Sequence, residues 1–136
     1  MREDGSMSFA EAIQSVFSKF NKLQGRSPRS EYWYWRLFVF IVSLVAVIPV
    51  VLVAMMVRQG DVWALFPFLI AAGAIAVFLW LLTITVTVRR LHDQGVSGWF
   101  FLLFLIPSVG WIIELVFMLQ PSQPGSNKYG APYLAK

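Results

Sequence analysis

The sequence predicts an all-α integral membrane protein with three hydrophobic helical segments and an N-terminal amphipathic helix in the membrane interface. Three observations carry that prediction. Hydrophobic residues make up 58% of the 136 residues and charged residues only 13%, where ordinary soluble domains are about a quarter charged. Residues 37–57 and 62–88 contain no charge, and residues 99–119 contain one. Between these runs lie dense polar knots, at residues 25–35 and 89–99. The mean hydropathy of +0.68 agrees, and the length suits one domain, 1–136.

The elements follow in order. The first six residues are polar and expected to be disordered, and Met7 is an alternative start because structure begins at Ser8. Ser8-Phe9-Ala10-Glu11 reads as a capping box, Ser8 and Glu11 satisfying each other's free backbone donors. Phe9, Ala12, Ile13, Val16, Phe17 and Phe20 then recur at steps of three and four, one stripe of a helix over 8–24. It is too short and polar to span, so its stripe is expected at the interface. Packing on the protein's own helices is the alternative.

Ser27-Pro28 suits an N-cap and a first helical position. Tyr32, Trp33, Tyr34 and Trp35 fit an aromatic headgroup belt. The first membrane segment is 35–57; its 21 charge-free residues match the roughly 20 needed to cross. Pro49 should kink it. Residues 58–61 make a turn. The next 27 charge-free residues would form about 40 Å of helix against a hydrocarbon core of about 30 Å. Trp63 and Pro67 therefore fall to the interface, and the second segment is 64–88. Thr83, Thr85 and Thr87 alternate like a strand, but a lone strand cannot satisfy its backbone in lipid. The third segment, 99–119, is interrupted by Pro107-Ser108-Val109-Gly110. A single kinked span is expected from its length, with a re-entrant pair of half-segments as the alternative. Residues 120–136 form a tail.

Charge sets the expected orientation. The chain carries 11 Lys+Arg against 7 Asp+Glu, a net +4, and a pI near 9.8. The basic residues flank apolar runs, which fits anionic headgroups and topology control rather than nucleic acid. With the N-terminus inside, eight basic residues fall on the cytoplasmic side (Arg2, Lys19, Lys22, Arg26, Arg29, Arg36, Arg89, Arg90) against three opposite. Nothing before residue 37 resembles a cleavable signal region.

Residues 89–99, Arg-Arg-Leu-His-Asp-Gln-Gly-Val-Ser-Gly-Trp, are too rich in ionisable groups and glycine for a neutral spacer. Four sequence patches now stand out in order. They are Gly25-Arg26-Ser27-x-Arg29-Ser30-Glu31-Tyr32-Trp33, then Arg89-Arg90-Leu91-His92-Asp93-x-Gly95-x-Ser97-Gly98-Trp99, then Pro107-x-x-Gly110, then Gly125-x-Asn127-Lys128-Tyr129-Gly130. From about Ser8 onward the chain resembles the YhaH-like bacterial inner-membrane proteins, a domain-of-unknown-function family. The resemblance implies a small multi-span protein of the bacterial cytoplasmic membrane and implies no reaction. Lys128 departs from the arginine more common in the family, which weakens bidentate anion contact there. Glu114 is not part of the family pattern and stands alone.

His92, Asp93 and Ser97 invite an acid–base reading. Residues adjacent in sequence rarely face one another, so the stronger reading is a structural turn enabled by Gly95 and Gly98. One histidine and no cysteine leave too few ligands for a metal, and no cofactor is expected. The absence of cysteine also removes disulfides and a thiol nucleophile. Glu114 lies about 7 Å of helix rise from the end of its segment. An intramembrane acid is a functional candidate by default, yet this one can reach the interface or an arginine.

The leading expectation is a non-enzymatic accessory membrane protein. Its two knots meet on the cytoplasmic side, with Arg26, Arg29, Arg89 and Arg90 facing Glu31, Asp93 and anionic headgroups or a membrane partner, including a second copy. A transporter or channel subunit using Pro49, Pro107 and Glu114 is the second reading. A membrane enzyme acting through His92 is the third.

Overall fold

The computed structural model describes residues 6–57 and 61–133. The expected disorder of residues 1–5 and the turn at 58–60 lie outside the described residues. The observed elements are α1 (Phe9–Ser18), α2 (Arg29–Met56), α3 (Phe66–Asp93) and α4 (Gly110–Leu119). A 3-10 turn, Val62–Leu65, leads into α3, and a 3-10 helix, Gly98–Leu105, precedes α4.

The capping box forms as the sequence requires: Ser8 N donates to Glu11 Oε2 at 2.7 Å, and Glu11 N donates to Ser8 Oγ at 3.3 Å. The helix then stops at Ser18, short of residue 24. The Lys19 N–H turns back to the Ser15 and Val16 carbonyls, and Thr85 Oγ1 on α3 takes the Phe20 carbonyl as acceptor. The apolar stripe divides its labour. Ala12 and Val16 are buried against the protein, while Phe9, Phe17 and Phe20 remain 39%, 40% and 58% exposed. The small residues dock the helix, and Phe9 and Phe17 add edge-on ring contacts to Tyr34, Trp35 and Phe38 of α2, so the stripe packs on the protein's own helices and leaves Phe20 the most exposed.

Ser27 and Pro28 each fall one position earlier than expected. Pro28 occupies the N-cap of α2, and Ser27 Oγ donates to Glu31 Oε2 at 2.6 Å. A buried carboxylate outcompetes the helix end for that hydroxyl. The helix runs 28 residues with Pro49 inside it, and the apolar middle of α2 buries none of its residues. Residues 62–93 form a second helical stretch long and apolar enough to cross. The expected aromatic belt is split: Tyr32 and Trp35 are 1% and 0% exposed, while Trp33 is 38% exposed. Period 3.6 points two of four consecutive side chains inward. Trp35 Nε1 donates to Thr83 Oγ1 at 2.9 Å. Thr83 and Thr85 in turn donate to the Leu79 and Leu81 carbonyls one helical turn back. Of the strand-like threonines, Thr83 joins α3 to α2, Thr85 joins α3 to the segment after α1, and the Thr87 hydroxyl is buried with no hydrogen-bond partner among the described residues.

Two expectations about the polar joint need correction. First, Arg89, Arg90, His92 and Asp93 belong to the last turn of α3, not to a loop. The helix ends in a Schellman arrangement: Val96 N donates to Leu91 O and Gly95 N to His92 O, both at 3.0 Å. Gly95 sits at φ 76°, a left-handed conformation that suits glycine. Second, residues 98–119 do not form one kinked span. Gly98 packs beside Val88 and His92 on α3, and at the other end Gln120 O accepts hydrogen bonds from Arg29 and Arg90. Both ends of the segment therefore lie at the same end of the α2–α3 pair, as in a re-entrant hairpin.

The reversal has a local cause. Pro107 brings no N–H, Ser108 adopts φ 70°, and Gly110 N donates to Ile106 O at 2.8 Å. A Cβ at Gly110 would stand 2.2 Å from Phe104 O, so only glycine lets the two limbs close. Each limb is about 15 Å long, half of a bilayer core. The core comprises Val16, Tyr32, Trp35, Leu79, Leu82, Val86, Leu91 and Met118, gathered where α1, the two long helices and α4 meet.

Candidate functional site at the arginine cluster

The N-terminal knot and the end of α3 meet through backbone and side chains. Ser27 N donates to Arg89 O at 3.1 Å. Arg89 Nη2 lies 3.1 Å from Glu31 Oε1, with the two side chains 1% and 0% exposed. Asp93 receives two arginines: Arg26 Nε at 2.8 Å on Oδ1 and Arg90 Nη1 at 2.5 Å on Oδ2. These three side chains are also 2% exposed or less. Ions so far from water need paired charge and near-complete hydrogen bonding.

Two carboxylates cannot occupy four arginines. Further donors go to main-chain carbonyls at the ends of α3 and α4 and in the tail, while Arg89 Nε and Nη1 and Arg90 Nε are buried with no hydrogen-bond partner among the described residues. Arg26 donates to Gly125 O at 2.6 Å, to Gln123 O and to Asp93 O. Arg29 donates to Gln120 O at 2.9 Å and to Leu119 O. Arg90 donates to Met118 O and Gln120 O. Arg29 and Arg90 thus sit at the C-terminus of α4, where unsatisfied carbonyls and the helix dipole favour cations. Gln123 N donates to Asp93 O at 3.0 Å, and the tail is strapped across the joint. A Cβ at Gly95 would stand 2.4 Å from Gln123 Oε1, the movable end of that side chain, so it is the left-handed φ that asks for glycine there.

His92 lies under the tail as well. Its ring stacks on Tyr129 with centroids 3.8 Å apart and planes 8° from parallel. Asn127 Nδ2 donates to His92 O at 2.9 Å, Asn127 Oδ1 accepts from Tyr129 N, and Asn127 and Gly130 pair as an isolated bridge. His92, Asp93 and Ser97 do not assemble into a catalytic set. The Asp93 carboxylate is taken by arginines, and Ser97 Oγ accepts from Trp99 N as a 3-10 N-cap. Gly98 packs closely beside His92: a Cβ there would lie 3.2 Å from Nε2 and 2.8 Å from Val88 Cγ1, so those side chains would have to shift. Gly25, at φ 96°, turns the chain into Arg26. Trp99 stands apart at 78% exposed.

Glu114 is elsewhere, on the flank between α2 and α4. Its Oε1 accepts from the Tyr32 hydroxyl at 2.6 Å, and its Oε2 lies 3.6 Å from Arg36 Nη2. Pro49 is 13 residues beyond Arg36 on α2, about 20 Å of helix, so the residues expected to mark a path do not line one. Among the described residues no group of three or more potential metal ligands occurs. Half-burial lowers the Lys19 pKa from its ordinary value; Glu31 opposes that shift, and Arg89 and Lys22 add to it.

The tail carbonyls, Arg36 and the threonine contacts are the parts that sequence reasoning missed. The one available signal was arithmetic: four arginines against two acids in the knots implies other acceptors nearby.

The comparisons with known proteins agree with this architecture. A family model described as a protein of unknown function (DUF805) matches residues 20–131. The chain is 35% identical over 116 residues to inner membrane protein YhaI of Escherichia coli (strain K12), covering 85% of this chain and 89% of that protein. It is also 35% identical over 117 residues to inner membrane protein YhaH of the same organism, with the same coverage. No solved structure matches the chain. With two apolar spanning helices, a shorter apolar helix and relatives that are inner membrane proteins, the chain belongs to the DUF805 family.

Proposed function

We propose that this protein is a small accessory protein of the cytoplasmic membrane whose arginine cluster holds its own helices together and whose surrounding basic surface engages anionic headgroups. The observation that carries the proposal is where the arginine donors go. Arg26, Arg89 and Arg90 are turned inward onto Glu31, Asp93 and tail carbonyls. A site built to act on a substrate would leave such groups in a cleft, whereas three of the cavities among the described residues are lined by other side chains than His92 and Asp93. What remains exposed at this end is Lys22, Arg29 and Lys128, a modest positive surface suited to lipid phosphate.

In this reading the chain crosses twice, with the N-terminus, the arginine cluster and the tail on the cytoplasmic side. The positive-inside bias supports that orientation. Because the chain lacks cysteine, single-cysteine labelling can test it cleanly. Lys22→Cys should react with an impermeant maleimide only in inverted vesicles, and Asp61→Cys only in right-side-out vesicles; the reverse pattern overturns the orientation.

The lipid reading has its own test. Replacing Lys22, Arg29 and Lys128 together by glutamine should reduce stabilisation by phosphatidylglycerol, at about 1 kcal/mol per basic residue. The check is thermal unfolding in micelles with and without that lipid. An unchanged lipid-dependent shift would remove the headgroup role.

A further inference from the structure

We propose that the cavity between α2 and α4 binds the headgroup of a primary-ammonium phospholipid of the phosphoethanolamine type. The cavity measures about 320 Å³ and is lined by Tyr32, Trp33, Arg36, Trp111, Glu114 and Leu115. It goes beyond the function proposed above, which rests on exposed charge at the arginine cluster and selects net negative lipid without reading its head.

The argument begins with an unfinished ion pair. The pairs in the arginine cluster close to 2.5–3.1 Å. Arg36 and Glu114 stand at 3.6 Å, with side chains 44% and 19% exposed. That separation is beyond hydrogen-bond length, and Arg36 donates no hydrogen bond among the described residues. Tyr32 fixes Glu114 by donating to Oε1 at 2.6 Å, which leaves Oε2 as an acceptor toward the cavity. A fixed acceptor and a half-exposed guanidinium, the latter 5.9 Å over the Tyr32 ring, sit side by side on two helices, one negative and one positive.

A zwitterionic headgroup is the mirror of this arrangement. Its ammonium meets Glu114 Oε2 and its phosphate meets the Arg36 guanidinium, which offers a planar fork of donors. Trp33 and Trp111, 38% and 64% exposed, supply aromatic faces for the cation and the linking methylenes. Glu114 lies five residues before the end of α4, about 7 Å of rise, which is the depth of the boundary between headgroups and acyl chains. Phe40 and Leu44 continue the Arg36 face of α2 at steps of four, 59% and 55% exposed, a track for an acyl chain below the head.

Glu114 also decides between lipid classes. A primary ammonium donates hydrogen bonds to a carboxylate, whereas trimethylammonium has none to give. A glycerol headgroup brings no cation, and its lipid leaves a net negative charge beside Glu114. The geometry therefore favours ethanolamine over choline and over glycerol.

The experiment is native mass spectrometry of the full chain in detergent, supplied with equimolar phosphatidylethanolamine, phosphatidylcholine and phosphatidylglycerol of one acyl composition. Ethanolamine lipid should be retained about tenfold over choline lipid, the worth of a hydrogen bond to a charged acceptor. Glu114→Gln should bring that ratio to about one. Arg36→Gln should lower retention of all three lipids and leave the ratio standing. With the unmodified protein, stepwise N-methylation of the ethanolamine head should preserve binding until the last N–H is lost. Equal retention in the unmodified protein, a ratio that survives Glu114→Gln, or binding that rises with methylation overturns the proposal. Loss of the phosphatidylglycerol effect on replacing Lys22, Arg29 and Lys128 leaves the ethanolamine ratio untouched, so the two readings fail separately.

Discussion

Asp93→Ala should destabilise the folded protein by about 3–5 kcal/mol, the usual cost of removing one partner from a buried ion pair. The upper end is expected because a single carboxylate serves two arginines. Arg26 and Arg90 both lose their charged acceptor, and both are within 1% of complete burial, so solvent screening offers no relief. The tail should loosen in the same variant, since Arg26 also holds Gly125 O and Gln123 O. Unfolding by denaturant in micelles measures the first effect. Limited proteolysis measures the second, with new cleavage expected between residues 120 and 130. A loss under about 1 kcal/mol, the range of exposed salt bridges, together with an uncut tail would show that Asp93 does not join the segments.

Glu31→Ala should cost about 3–5 kcal/mol by the same mechanism, but through a different part of the fold. Glu31 accepts from Arg89 at 3.1 Å and from Ser27 at 2.6 Å, so its loss strands a cation and a hydroxyl together. The damage falls between the starts of α2 and the end of α3, and the tail should stay protected from protease. The double variant Glu31→Leu with Arg89→Met should recover much of the loss, because removing both charges also removes the desolvation they demand. If the double variant is as unstable as Glu31→Ala, packing at this position matters more than charge.

The parts of the fold that were legible in the sequence are those governed by side-chain type. Uninterrupted apolar runs placed α2 and α3, and Ser8 with Glu11 placed the start of α1. The two knots were expected to meet, and Arg26, Arg89, Glu31 and Asp93 do so. What was illegible depended on main-chain groups and on partners distant in sequence. Residues 120–126 look like a soluble tail because their side chains are small and polar. Their carbonyls do the binding, and every sequence has carbonyls. The end of α3 looked like a loop because Arg89, Arg90 and Asp93 are costly in an apolar helix until each charge finds its partner. The third segment read as a span because its length permits one. The choice between kink and reversal turned on Ser108 at φ 70° and on contact between Gly110 and Phe104. Glu114 was visible as an anomaly, while its partners Tyr32 and Arg36, 82 and 78 residues away, were not.

The strapped tail imposes an order in time. Arg26 emerges from the ribosome early, yet its carbonyl acceptors at Gln123 and Gly125 lie 97 and 99 residues downstream. Domains generally form as their chain appears, but this joint cannot close during synthesis. Until residues 118–125 are made, Arg26 and Arg90 have Asp93 as acceptor and lack the carbonyls downstream. A chain cut short after Leu119 would keep its long helices and lose the Gln123 and Gly125 acceptors of Arg26. The tail carbonyls must therefore be in place before Arg26 and Arg90 have their full set of acceptors.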